Sequence, residues 1–237
     1  MEKKKVRRGY VASDGRDFSP EQMPLLKKAL AEIAWLLDRG YSIKSAVVFV
    51  ANHYLFTERQ RAALMRAAAS GEDVKRRVEK ELAGCEGKKV NIDGFNILIT
   101  LEVALAGSTL ISCMDGAVRD LAGLRGTYRL IDKTDAAILL LGKRLKEMGA
   151  AQAAFYLDAP VSNSGRLSAR IRHLLCEYGF GLSVETVASP DALLKNLPCV
   201  VSSDAIILND CESWINMARI IIEEDIPGAS FVDLSRA

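Results

Sequence analysis

The stretch Lys88-Lys89-Val90-Asn91-Ile92-Asp93-Gly94-Phe95-Asn96-Ile97-Leu98-Ile99-Thr100-Leu101-Glu102 constrains the fold more than any other. It begins as a short apolar strand, reaches a carboxylate where the strand should end, turns at a glycine, and continues with helical periodicity. In an open α/β sheet, ligands bind outside the carboxyl ends of the strands. Asp93 is therefore a candidate site residue. Asn96, three residues on, is placed to hold Asp93 or to cap free N–H groups of the helix. Asp-Gly is also a common turn dipeptide, and for this pair alone the turn reading stands beside the functional one.

From Lys88 onward, short β-type runs alternate with amphipathic helices. The alternation predicts an α/β domain over residues 88–237 with a mostly parallel sheet flanked by helices. The expected order is strand 88–93, helix 95–106, strand 109–113, an Asp/Gly-rich segment 115–133 and helix 134–148. Strand 152–157, helix 163–178, strand 182–187, a short helix near 190–195 and strand 198–202 follow. A helix over about 211–224 and a last strand at 230–234 complete it.

The first 85 residues have a different texture. Residues 1–17 are charged and read as a loosely held arm. Ser19-Pro20-Glu21-Gln22 has the form of a capping box, and Leu25 to Leu37 then recur at helical spacing until Gly40. Further helices are expected at 43–53, at 57–69 behind a second capping box (Thr57 to Gln60), and at 72–82. Residues 1–85 thus read as a small all-helical domain, with Ala83 to Gly87 as linker. The pair 43–53 and 57–69 has helix-turn-helix proportions, a weak signal for DNA reading because most short-loop helix pairs bind nothing.

Net charge is only +2 over 237 residues, so no global polycation argues for nucleic acid. The distribution is uneven. Residues 1–87 carry 17 Lys/Arg against 12 Asp/Glu, and residues 88–237 carry 15 against 18. A basic binding module joined to a metal-binding one fits this, as do two unremarkable domains. Five cysteines without a CxxC pair suggest reduced thiols in a cytoplasmic protein and no zinc site. The N-terminus lacks the apolar core of a signal peptide. The oily run Phe95 to Met114 is interrupted by Asn96, Glu102 and Gly107, so a buried helix and strand explain it better than a membrane span.

Two further strands repeat the pattern of the first. Ala153 to Leu157 runs into Asp158, and Cys199 to Ser202 runs through Ser203 into Asp204. A fourth, Thr109 to Cys113, ends beside Asp115. In one parallel sheet those carboxylates would share an edge and repel one another, which raises their pKa values or demands a cation. Hard oxygen ligands without histidine or thiolate favour Mg²⁺ or Mn²⁺. Each aspartate also has a local reading as turn residue, N-cap or surface charge. Ser162, Asn163 and Arg166 open a helix after the Asp158 strand, where either capping or an anion site fits. Arg119, Arg125, Tyr128, Arg129 and Lys133 crowd the segment after the second strand, as phosphate guides or as a solvated loop. The only histidines, His53 and His173, sit in no motif, so a nucleophile triad finds no support.

Val-Asn-Ile-Asp-Gly-Phe-Asn-Ile-Leu (90–98) resembles the first strand of PIN-like and NYN-type nucleases, and Val-Val-Ser-Ser-Asp-Ala-Ile-Ile-Leu (200–208) resembles their late strand. The whole arrangement also resembles an uncharacterised prokaryotic family in which a helical domain of unknown function, number 434, precedes a PIN-like domain. The resemblance implies a Rossmann-like sheet and Mg²⁺- or Mn²⁺-dependent hydrolysis of phosphodiesters, most often in RNA. It maps metal-binding roles onto Asp93, Asp204 and Asp158. Glu102, Asp115 and Asp120 compete for the remaining acidic position, and Asp115 is preferred. Asn96 would then orient Asp93, Ser203 would steady Asp204, and Arg119, Arg125 and Arg166 would meet phosphate. A non-catalytic nucleic-acid-binding protein is the second expectation and a metal-dependent phosphotransferase the third. Self-association is left open, and no membrane partner is expected.

Overall fold

The computed structural model describes residues 6–123, 126–229 and 231–235. Five helices form the N-terminal segment: α1 (Asp14–Asp17), α2 (Met23–Leu37), α3 (Ile43–His53), α4 (Glu58–Ala67) and α5 (Gly71–Glu79). The capping box at α4 forms as expected, the Thr57 hydroxyl accepting from Gln60 N–H and the Gln60 side chain accepting from Thr57 N–H. The one expected at Ser19 does not. Ser19 offers its carbonyl, not its hydroxyl, to the Gln22 and Met23 amides, so 19–22 is a separate turn and α2 starts after Gln22.

The N-terminal arm is also better fastened than its charge suggested, within the described residues 6–17. Arg8 is buried and pairs with Glu102 at 2.7 Å, its guanidinium 4.6 Å from the Tyr128 ring centre. Asp14 pairs with Arg59 at 2.7 Å and accepts from the Thr109 hydroxyl. One buried and one half-buried ion pair hold this segment where composition reads only solvated charge.

The rest of the chain runs β1 (Lys89–Asp93), α6 (Gly94–Leu105), β2 (Leu110–Ser112), β3 (Val118–Asp120), α7 (Thr134–Glu147), β4 (Gln152–Asp158) and α8 (Ser164–Leu175). It continues through β5 (Gly181–Val187), α9 (Pro190–Leu194), β6 (Val200–Val201), α10 (Ala205–Asp210), α11 (Met217–Asp225) and β7 (Phe231–Asp233). This is the α/β fold that the alternation predicts. The main sheet has the order β5-β4-β1-β6, every neighbour parallel. Side chains alternate between its two faces. Val90, Ile92, Phe155 and Leu157 join the core with Leu98, Leu141, Leu167 and Ile221 of α6, α7, α8 and α11. Ala154, Tyr156 and Val200 face the other way, into a smaller core with Leu194, Ile207 and Trp214. The chain moves outward from β1 to β4 and β5, then returns to β6 on the far side of β1. Strand order therefore reverses beside β1, which makes the carboxyl end of β1 the switch point where such sheets open a crevice.

The strand expected at 109–113 does not join this sheet. β2 pairs antiparallel with β3 and parallel with β7, forming a separate three-stranded sheet. β3 itself arises inside the segment read as loop. The small sheet is a partition with two apolar faces. Leu110 and Val118 belong to the core under the main sheet, whereas Ile111, Cys113, Val232 and Leu234 pack with Leu26, Leu30, Ile33, Val47 and Leu64 of the helical segment. The oily run is thus divided between α6 and β2, and among the described residues no helix is long and apolar enough to cross a membrane.

Candidate active site

Asp93 is the last residue of β1, and α6 begins at the next one. No loop intervenes. Gly94 does not adopt a positive φ here, so the Asp-Gly pair is not a glycine-dependent turn. Its need for glycine is steric: a Cβ would stand 2.5 Å from Leu157 Cδ2 and 3.2 Å from the Tyr156 carbonyl oxygen on the neighbouring strand. Gly94→Ala is expected to cost about 1–3 kcal/mol through overpacking against β4, read as a lower midpoint in urea unfolding.

Asp93 is 5% exposed. The Ser202 hydroxyl donates to its Oδ2 at 2.9 Å and in turn accepts from the Asp204 amide at 3.1 Å, so one hydroxyl ties the ends of β1 and β6 together. Burial pushes the Asp93 carboxyl up to about 7, the Ser202 hydrogen bond opposes this, and the fields of Asp191, Asp204 and Asp158 raise it further. Those same carboxylates line a cleft of about 310 Å³ at this edge of the sheet, together with Asp120, Asn96, Phe95, Tyr128 and Arg66. Burial also raises the carboxyls of Asp158 and Asp191, the latter with help from Asp204 and Asp158. Two of the five have local duties as well. Asp204 caps α10 by accepting from Ile206 N–H at 2.8 Å, and Asp120 accepts from the Thr100 hydroxyl and from Ala122 N–H.

Asp93, Asp158, Asp204 and Asn96 therefore meet at one cleft, but two assigned roles change hands. Asn96 does not hold Asp93; its Oδ1 accepts from the amide and hydroxyl of Ser203, at 2.8 and 3.0 Å. Ser203 accordingly steadies Asn96, and Ser202 is the residue that fixes both Asp93 and Asp204.

Asp115 is not in the cleft. Its strand left the main sheet, and its carboxylate lies fully buried between Arg77 at 2.7 Å and Arg119 at 2.5 Å. Burial alone would raise this carboxyl, but the two guanidinium groups outweigh it and hold it below the usual carboxylate range. Arg119 is equally spent. It donates to Asp115, to the Ser203 carbonyl at 2.7 Å and to the Arg66 carbonyl at 3.0 Å, with no face left for phosphate. Glu102 is fully buried against Arg8, Tyr128 and Thr134, which removes it from the competition and leaves Asp120 as the residue that lines the cleft.

Ser162 and Asn163 do not form an anion cradle either. Both side chains hold the cleft wall, Ser162 exchanging hydrogen bonds with the Tyr128 backbone and Asn163 donating to the Tyr128 carbonyl at 2.6 Å. Arg166 is exposed on α8 and does not line the cleft. Arg125 lies outside the described residues.

Sequence reasoning missed Ser202, Asp191 and Arg66. Ser202 was legible as part of Ser-Ser-Asp. Nothing local marks Asp191 or Arg66; they arrive because α9 packs on β1 and β4 and α4 packs on β2 of the small sheet.

Among the described residues no three acidic, histidine or cysteine side chains converge closely enough to ligate one ion. Mg²⁺ keeps most of its waters and commonly takes only one or two carboxylates from a protein. The cleft offers carboxylate oxygens and neither thiolate nor imidazole, a donor chemistry suited to a hard cation that keeps its waters and not to a softer metal.

A family model described as a protein of unknown function, DUF434, matches residues 25–80. A second, described as a domain of unknown function, DUF5616, matches residues 82–220. An uncharacterized protein of Methanocaldococcus jannaschii is 36% identical over 185 residues, covering 77% of this chain and 88% of that one. No solved structure matches the chain. The second model spans the main sheet and all five carboxylates of its cleft, and with it the chain belongs to the DUF5616 family, with a DUF434 segment in front.

Proposed function

We propose that this protein is a metal-dependent phosphodiesterase acting on nucleic acid, an RNA-cleaving nuclease with a PIN-like site. The observation that carries this reading is the gathering of Asp93, Asp120, Asp158, Asp191 and Asp204, from separate elements, around one cleft at the switch point. Like charges gathered in one cleft repel, and burial, with the fields of Asp191, Asp204 and Asp158 added, raises the Asp93 carboxyl. A Mg²⁺ or Mn²⁺ bound there would supply a hydroxide nucleophile and offset the charge that builds on the phosphoryl group.

The chain's own residues do the rest. Asp93 and Asp204, tied by Ser202, would hold the cation from β1 and β6, and Asp158 and Asp191 would complete its hydrated shell from the β4 and α9 side. Asp93, whose carboxyl burial pushes up to about 7, would have to release its proton to hold the cation. Asn96 keeps Ser203, and so the start of α10, in register with β1. Tyr128, itself buried, forms part of the cleft wall.

The test is cleavage of a labelled single-stranded RNA in Mn²⁺, Mg²⁺ and EDTA. Cleavage is expected in the first two and not the third, and Mn²⁺ is expected to raise the melting temperature by mass action. The divided carboxylates and the capping duty of Asp204 favour one second reading, a non-catalytic nucleic-acid-binding protein. Salt-sensitive binding without cleavage in any metal would select it.

A further inference from the structure

A second depression adjoins the carboxylate cleft. It is a groove of about 350 Å³ on the helical segment, lined by Val47, Val48, Ala62, Met65 and Leu121. Arg66 and Gly123 line both the groove and the cleft, so the two are continuous. The groove floor is apolar. Arg61 at its edge has its guanidinium committed to the Phe56 and Ala51 carbonyls and to Asn52 Oδ1.

Arg66 is different. Its carbonyl is clamped by Arg119, which fixes its backbone at the junction. Its exposed guanidinium forms no hydrogen bond or ion pair among the described residues, although five carboxylates line the same cleft. An arginine held at such a junction but uncommitted is available to an anion that enters with a cation. Lys44, one turn before Val48 on α3, is a second exposed cation on that side. Val48 is 54% exposed and its neighbour Phe49 72%, so this helix presents apolar and aromatic surface to solvent.

We propose that the groove is a subsite for an unpaired nucleobase of a single-stranded nucleic acid, with Arg66 contacting the phosphate that links that base to the cleft. The scissile position rests on the nuclease reading above; the binding of base and phosphate does not. The ligand must offer a flat apolar face and, one linkage away, an anion. A nucleotide in a single strand offers both, whereas a duplex hides its base faces by stacking and pairing. The helical segment, which holds the chain's excess of positive charge, then supplies recognition, and the sheet edge supplies the carboxylates.

The experiment is fluorescence anisotropy in EDTA with a short fluorescein-labelled single-stranded RNA and the corresponding duplex. The variants are Arg66→Ala and Ala62→Trp, the latter filling the groove from an exposed helix position. Each is expected to weaken single-strand binding about tenfold with an unchanged melting temperature, the loss of one base seated on apolar side chains or of one phosphate contact. Arg66→Ala should also reduce the salt dependence by about one counterion. Equal affinity of both variants and wild type, or wild type preferring duplex, would overturn the subsite. The two readings fail separately. Mn²⁺-dependent cleavage with KM unchanged in both variants would keep the nuclease and remove the groove. Groove-dependent binding without cleavage in any metal would keep the groove and remove the nuclease.

Discussion

Asp93→Asn should melt higher than wild type in metal-free buffer above pH 7, and cleave RNA at least about a hundredfold more slowly in Mn²⁺. The stability gain follows from linkage. An unfolded aspartate releases its proton near 3.9, whereas Asp93 in the folded chain holds its proton to about 7. Between those values the folded state binds the extra proton, so wild-type stability falls as pH rises through the window and stays low above it. Asparagine never ionises and keeps the acceptor for Ser202. The variant should therefore match wild type near pH 4 and exceed it by about 2–4 kcal/mol at pH 8. For a chain of this size that is a gain of roughly 5–15 °C. Added Mn²⁺ should narrow the gap by stabilising wild type alone. A gap that is independent of pH would show that Asp93 is not held protonated in the folded chain, and would overturn this account of the cleft.

Asp115→Asn is expected to do the reverse. Breaking a buried ion pair from one side leaves the partner charge uncompensated and costs about 3–5 kcal/mol. Here two guanidinium groups would be left, so the melting temperature should fall by roughly 10 °C or more at neutral pH. The sign against pH is opposite to that of Asp93. A carboxyl held below its ordinary value contributes stability above the unfolded value near 3.9 and loses it as pH falls through the folded one. The deficit should be full at pH 7 and shrink only in strong acid. Because Arg119 also holds the Ser203 and Arg66 carbonyls, the same substitution should lower RNA affinity in the fraction that remains folded. Thermal melts across pH, with anisotropy below the transition, measure both.

The contrast between these two aspartates marks what was legible in the sequence. Both stand at the end of an apolar strand followed by Gly, and local pattern treats them alike. Pairing separates them: β1 sits at the centre of the parallel sheet, while β2 pairs with β3 and β7 in another. No periodicity states which sheet a buried strand joins. Asp158 and Asp204 were legible because their strands do flank or adjoin the switch. Asp120 was weighed and passed over because in Val-Arg-Asp-Leu it reads as a surface helix charge, whereas it ends a strand that exists only by pairing with β2. Asp191 and Arg66 depend on how short and distant helices dock, which a helix surface pattern does not encode. The α/β order and the helical segment were readable because each rests on repeated local signals.

The two-faced small sheet has a consequence for the ancestry of the chain. The boundary between the two family matches, near residues 80–82, falls where covalent sequence could be cut and rejoined. The wall formed by Ile111, Cys113 and Leu234 crosses that boundary, since those side chains complete the interior of the helical segment while being encoded far downstream of it. Either half transplanted into another gene would carry an open apolar face with it. These two segments are heritable as a pair, and a recombination that kept only one would have to invent a new lining for what it left bare.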